Sequence, residues 1–154
     1  MFLAGEELHF REQRIREYLR REPSVGLLVA AVHFEWTVCR AVMFLSPTPN
    51  RELRNLMSRV YGLDKYEQLW RNQVAAFVDD RLGLPKIVGN WQQVRDAFQM
   101  RNRLVHGRDR ATQNMAKPKV DALIRAAASI QLYCSRRGID FQDRIPIRRK
   151  RRTS

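Results

Sequence analysis

The chain has 154 residues, of which 29 are Lys or Arg and 16 are Asp or Glu, giving a formal charge of +13. That length fits one domain with a core of its own, and 44% hydrophobic residues exclude a disordered body. Two cysteines, Cys39 and Cys134, lie too far apart in sequence for a metal-ligand spacing and are too few for a disulfide framework.

The periodicity is helical throughout, with no sustained alternation of the kind a half-buried strand shows. A first helix is expected over roughly 6–21, with Leu8, Ile15 and Leu19 among many charges; Pro23 and Ser24 end it and cap the next. The second, roughly 25–45, is the most apolar and is expected at the centre of the core. Pro47 and Pro49 mark a loop, after which Asn50 caps a short helix ending near Gly62. Asp64 caps another, running to about Leu82 with Tyr66, Leu69, Trp70, Val74 and Phe77 at helical spacing. Residues 83–89 read as a connection. Asn90 opens a helix that stops at Gly107, a common C-terminal position for glycine. The last helix is expected from Pro118 to Gly138. The expected fold is all-α: an up-and-down bundle of five or six helices over 1–143.

A basic tail, 144–154, follows with six basic residues and no acid. It reads as a flexible arm, either a disordered terminus that aids solubility or an arm for phosphate contacts. No stretch reaches about 18 uninterrupted apolar residues, and the first residues carry no leader pattern. A cytoplasmic protein with no membrane partner is expected, and its charge points to an anionic partner.

Two charges fall on apolar faces. On the 90–106 helix, Trp91, Val94, Ala97, Phe98, Met100, Leu104 and Val105 form one arc, and Arg101 lies near its middle. A guanidinium cannot shed its charge there and needs an anion, carbonyls or water. On the second helix His33, Thr37 and Arg40 form a polar stripe, while Glu35 lies opposite, among Leu28, Ala31, Val38, Cys39 and Val42. Glu35 and Arg101 are therefore expected to meet, as a structural ion pair or as the floor of a charged cleft. His9 and His33 carry no expected function. The three histidines lack metal-ligand spacing, and no metal or cofactor is expected.

After Arg101 the run is Asn102-Arg103-Leu104-Val105-His106-Gly107. Asn102 and His106, four apart, can face each other on the last turn. At the helix C-terminus the dipole favours imidazolium, and Arg101, Arg103 and Arg108 oppose it; a group so balanced suits general acid or base work.

An Arg and a His with four residues between them, Asn102 after the Arg and a glycine after the His, resemble the motif of the HEPN superfamily. The resemblance spans about 6–138: an apolar early helix bearing an acid, a motif helix and an Ala-rich last helix. It implies an all-helical domain that dimerises, placing two motif copies across a cleft. Many members are metal-independent endoribonucleases of toxin–antitoxin or anti-phage defence systems; others bind RNA, nucleotides or proteins without cleaving. Toxins silenced by a nucleotidyltransferase partner commonly carry a Tyr two residues after the motif His, where this chain has Arg108. The roles implied are His106 as acid or base, Arg101 as phosphate binder, Asn102 as positioning group and Glu35 as support, with Arg103, Arg108 and Arg110 contacting RNA. An antitoxin or defence-complex partner is a further expectation. A helical adaptor with a basic arm is the reading from another class.

Overall fold

The computed structural model describes residues 7–151, and all regular structure among them is helical. The helices are α1 (Leu8–Arg21), α2 (Pro23–Leu45), α3 (Asn50–Met57), α4 (Leu63–Trp70), α5 (Leu84–Val88), α6 (Trp91–Val105) and α7 (Gln113–Ser135). Seven helices exceed the five or six expected, because the 83–89 connection holds the short α5 with Pro85 in its first turn.

Helix α2 is the central element. It packs on α1, α6 and α7, and the α2–α7 contact is the largest in the molecule. Its Leu27, Ala30, Ala31, Phe34, Val38, Ala41 and Val42 are fully buried. Each large side chain so placed contributes about 1.5–3 kcal/mol of hydrophobic stabilisation. By length and hydropathy α2 could also cross a membrane, but 61% of that apolar window is buried inside the protein. Helix α1 joins α2 through the single residue Glu22. Gly26 makes the close approach possible: a Cβ there would lie 2.6 Å from the Leu19 Cα.

Several local expectations give way to tertiary contacts. Pro23 is the first residue of α2, and Ser24 caps nothing; its Oγ accepts from the Ala111 amide at 3.0 Å. Asn50 is inside α3 rather than its cap, and binds the C-terminal segment instead. Helix α4 starts after Gly62 and passes into a π-helical turn over Arg71–Ala75, well short of Leu82. Phe77 accordingly falls outside the core and is exposed. Helix α7 begins at Gln113, where Thr112 Oγ1 accepts from the Met115 amide, so Pro118 lies inside it.

The polar stripe of α2 faces inward. His33 and Thr37 are fully buried. Arg11 of α1 is also buried, its guanidinium stacked 3.6 Å over the Trp36 ring. Phe141 packs on Trp36 and Phe44, and Arg40 donates to the Phe141 and Asp143 carbonyls. The tail is tied down further: Arg148 donates to the Met43 and Phe44 carbonyls at 2.8 and 2.7 Å, and its backbone pairs with Asn50. Guanidinium donors thus satisfy carbonyls of the last α2 turn that the helix leaves open. The first part of the expected free arm is a strap on α2; Arg152 lies outside the described residues.

Candidate active site on α2, α4 and α6

Helix α6 positions the motif. It packs on α7 and α2 through Val94, Ala97, Phe98 and Met100. Its start is tied to α7 by Asn90, whose amide donates to the Ala122 carbonyl at 3.2 Å. Its end is fixed by Gly107 at φ 65°. The Gly107 amide donates to the Leu104 carbonyl and the Arg108 amide to the Arg103 carbonyl at 2.9 Å. That bond pair is a Schellman motif, which needs a left-handed residue that glycine supplies without strain. It holds His106 as the C-cap, with backbone angles of −87° and 8°.

The two misplaced charges meet. Arg101 Nη2 lies 3.6 Å from Glu35 Oε1, and the side chains are 28% and 19% exposed. Arg101 keeps part of its surface in solvent, and Nη1 donates to Asn102 Oδ1 at 3.2 Å. Glu35 feels two opposing influences. Burial raises its pKa above the usual carboxylate value, and the Arg101 charge pulls it back only in part.

Two further groups share this environment. Cys39, one turn after Glu35, has its thiol pushed up to about 11, first by burial and then by the Glu35 charge, against a hydrogen bond with Tyr66. The Tyr66 phenol is raised too, by burial and then by Glu35 and Cys39, with Arg101 opposing. Both stay protonated near neutral pH, which leaves Glu35 and Arg101 as the groups of the cluster that can carry charge there. Tyr66 reads from sequence as one more apolar position of its helix. Only the packing of α4 on α2 brings its hydroxyl to Cys39 and within electrostatic reach of Glu35.

His106 is exposed just over one turn beyond Arg101, about 7.5 Å along the helix axis. Its imidazole makes no hydrogen bond or ion pair among the described residues. Asn102 turns its side-chain oxygen to Arg101, and its link to His106 is the backbone bond from the His106 amide to the Asn102 carbonyl, 3.1 Å. The expected side-chain pairing of Asn102 with His106 is thereby replaced, because the neighbouring guanidinium is the stronger donor.

The flanking arginines divide. Arg103 is 3.9 Å from Asp109 and mostly exposed. Arg108 is exposed beside the Schellman turn. Arg110 lines an open cleft of about 850 Å³ with Arg21, Ser24 and Thr112. A second open cleft, about 440 Å³, is lined by Asn102 together with Tyr61, Asp64, Lys65, Arg95 and Gln99. The two clefts share no lining residue. Among the described residues no group of three or more His, Cys, Asp or Glu could hold a metal ion.

The fold and this site define an all-α protein with an exposed histidine and a half-buried Arg–Glu pair on neighbouring helices. No family model, curated protein or solved structure matches the chain.

Proposed function

We propose that the chain is a metal-independent endoribonuclease with a HEPN-like helical bundle. The supporting observation is the Glu35–Arg101 contact at 3.6 Å, which holds the motif arginine partly exposed on the helix whose C-cap is the exposed His106. An apolar arc alone would spend that position on a hydrophobe.

In this reading RNA supplies its own nucleophile. The 2′-oxygen attacks phosphorus, its proton passes to a base, and the P–O5′ bond breaks as the leaving oxygen takes a proton. The products are a 2′,3′-cyclic phosphate and a 5′-hydroxyl. Arg101 binds the phosphoryl oxygens and offsets the charge that builds on them. Glu35 holds Arg101 in one orientation, and Asn102 positions its second edge. His106 transfers one proton. The other transfer falls to His106 of a second copy, since a twofold interface brings the same surface from both chains together. Arg103, Arg108 and Arg110 contact neighbouring phosphates. A cytoplasmic toxin or defence effector, held in check by a protein partner, fits such chemistry.

The non-cleaving alternative, a HEPN-like module that binds RNA, a nucleotide or a protein, draws on one observation. Asn102 is engaged by Arg101, so no side chain orients the imidazole. One experiment separates the two: incubate labelled transfer RNA and an unstructured RNA in excess EDTA with wild type, Arg101→Ala and His106→Ala. Cleavage by wild type alone, with cyclic-phosphate ends and a loss of at least about a hundredfold in each variant, is expected. Binding without cleavage would favour the module, and cleavage surviving both substitutions would overturn the site.

A further inference from the structure

The 440 Å³ cleft beside Asn102 has a composition that phosphate chemistry does not require. Tyr61, in the loop before α4, is 80% exposed, the most exposed large hydrophobic residue among those described, and it lines this cleft. An aromatic ring left in water forgoes its own burial and offers a face for stacking. Facing the same space are two amides, Gln99 and Asn102, one turn apart on α6. Gln99 carries both donors and an acceptor, and Asn102, whose Oδ1 accepts from Arg101, keeps its two donors; together they complement a nucleobase edge. Lys65 and Arg95 supply the cations. Asp64 neutralises one of them, lying 3.1 Å from Arg95, and leaves Lys65 as the cation in excess.

The connection to the motif is direct. Asn102 lines the cleft and its Oδ1 accepts from Arg101, so a phosphate on Arg101 would have its neighbouring nucleoside at the mouth of this space. Trp70 and Trp91 are committed to packing. Trp70 is fully buried with its indole N–H on the Leu82 carbonyl, and Trp91 packs against the core.

We propose that this cleft is a nucleobase subsite. Tyr61 stacks an unpaired base, Gln99 and Asn102 hydrogen-bond its edge, and Lys65 meets a flanking phosphate. The inference rests on the reading of the chain as an RNA-handling protein and names the class of substrate: single-stranded RNA with a base free to leave its stack. A base already stacked in a duplex cannot enter.

The test uses the full chain, a short single-stranded RNA carrying 2-aminopurine, and a duplex of the same sequence. Stacking on an aromatic ring changes the fluorescence of 2-aminopurine. Wild type is expected to do this with the single strand only. Tyr61→Ala should weaken single-strand binding about tenfold, abolish the fluorescence change and leave duplex binding within about twofold. Tyr61→Phe should retain both. Because Tyr61 is exposed, the melting curve of Tyr61→Ala should match wild type. Equal loss on single strand and duplex, or none on either, would overturn the subsite. Failure of the nuclease reading looks different: no wild-type cleavage in EDTA, with Tyr61-dependent stacking intact. Cleavage by Tyr61→Ala at wild-type rate and position would sink the subsite and spare the nuclease.

Discussion

Replacing Glu35 and Arg101 by Gln, singly and together, tests the physics of the site without reference to any substrate. The Nη2–Oε1 distance is 3.6 Å. At that distance two unit charges attract by about 1 kcal/mol in bulk water and about 5 kcal/mol at an effective dielectric near 20. Both side chains keep some exposure, so a coupling energy of about 1–3 kcal/mol is expected from the double-mutant cycle at low salt. The two single variants should differ. Glu35→Gln leaves Arg101 with Asn102 and with water. Arg101→Gln leaves a carboxylate where burial already raises its pKa, and removes the charge that lowers it. Arg101→Gln should therefore cost more at pH 7.

The pH dependence follows from the same direction of shift. A carboxyl whose folded pKa is raised stabilises the fold most below its unfolded pKa. That contribution is lost as pH rises through the folded value. Wild type should thus lose stability relative to Glu35→Gln between about pH 4 and neutrality, and Arg101→Gln should lose more over the same window. Urea denaturation at pH 4 and pH 7.5 measures all of this. A coupling below about 0.5 kcal/mol, or a wild type that gains on Glu35→Gln with rising pH, would refute the account.

Three other outcomes are expected. Gly107→Ala places a side chain at φ 65° and should cost about 1–2 kcal/mol; on the proposed nuclease reading it should also lower RNA cleavage more than binding, by moving His106, while an equal loss of both would argue against that role. Gly26→Ala puts a Cβ 2.6 Å from the Leu19 backbone, and overpacking should outweigh the gain in helix propensity, a net cost of about 1–2 kcal/mol in a thermal melt. His33, fully buried and lowered to about 4 first by burial and then by Arg11, should make the protein lose about 3 kcal/mol as pH falls from 6.5 to about 4. A depressed folded pKa gives stability that is present above the unfolded value and lost on acidification. His33→Leu, which also removes two buried nitrogens lacking hydrogen-bond partners, should flatten that limb; an unchanged acid transition would rule it out.

Local chemistry carried much of the site. The positions of Glu35 and Arg101 on apolar faces are legible from a step of about 100° per residue, and two such anomalies on apolar helices need each other for the same electrostatic reason. Gly107 marks the end of α6 because a Schellman turn needs a left-handed residue. By contrast, Ser24, Asn50 and Asp64 all carry cap-forming side chains, and none caps its helix. Ser24 and Asn50 are taken by Ala111, Pro146 and Arg148, while Asp64 pairs with Arg95. Those contacts span up to 98 positions in sequence, and no local pattern encodes them.

The sequence by itself determined the all-helical class, the central place of α2 and the helix that bears the motif, because helical periodicity and apolar content act within one element. Only the tertiary structure decided what the polar side of α2 faces. His33, Thr37 and Arg40 look like a solvated stripe, yet α1 brings Arg11 over Trp36 and the C-terminal segment packs Phe141 there. It likewise turned the first part of the basic tail into a strap, brought Tyr66 to the Glu35–Arg101 pair and set Tyr61 at a cleft with Gln99 and Asn102. Each of these depends on which surfaces cover one another. A single helix wheel records only that a face is polar, and burial is a property of the pair.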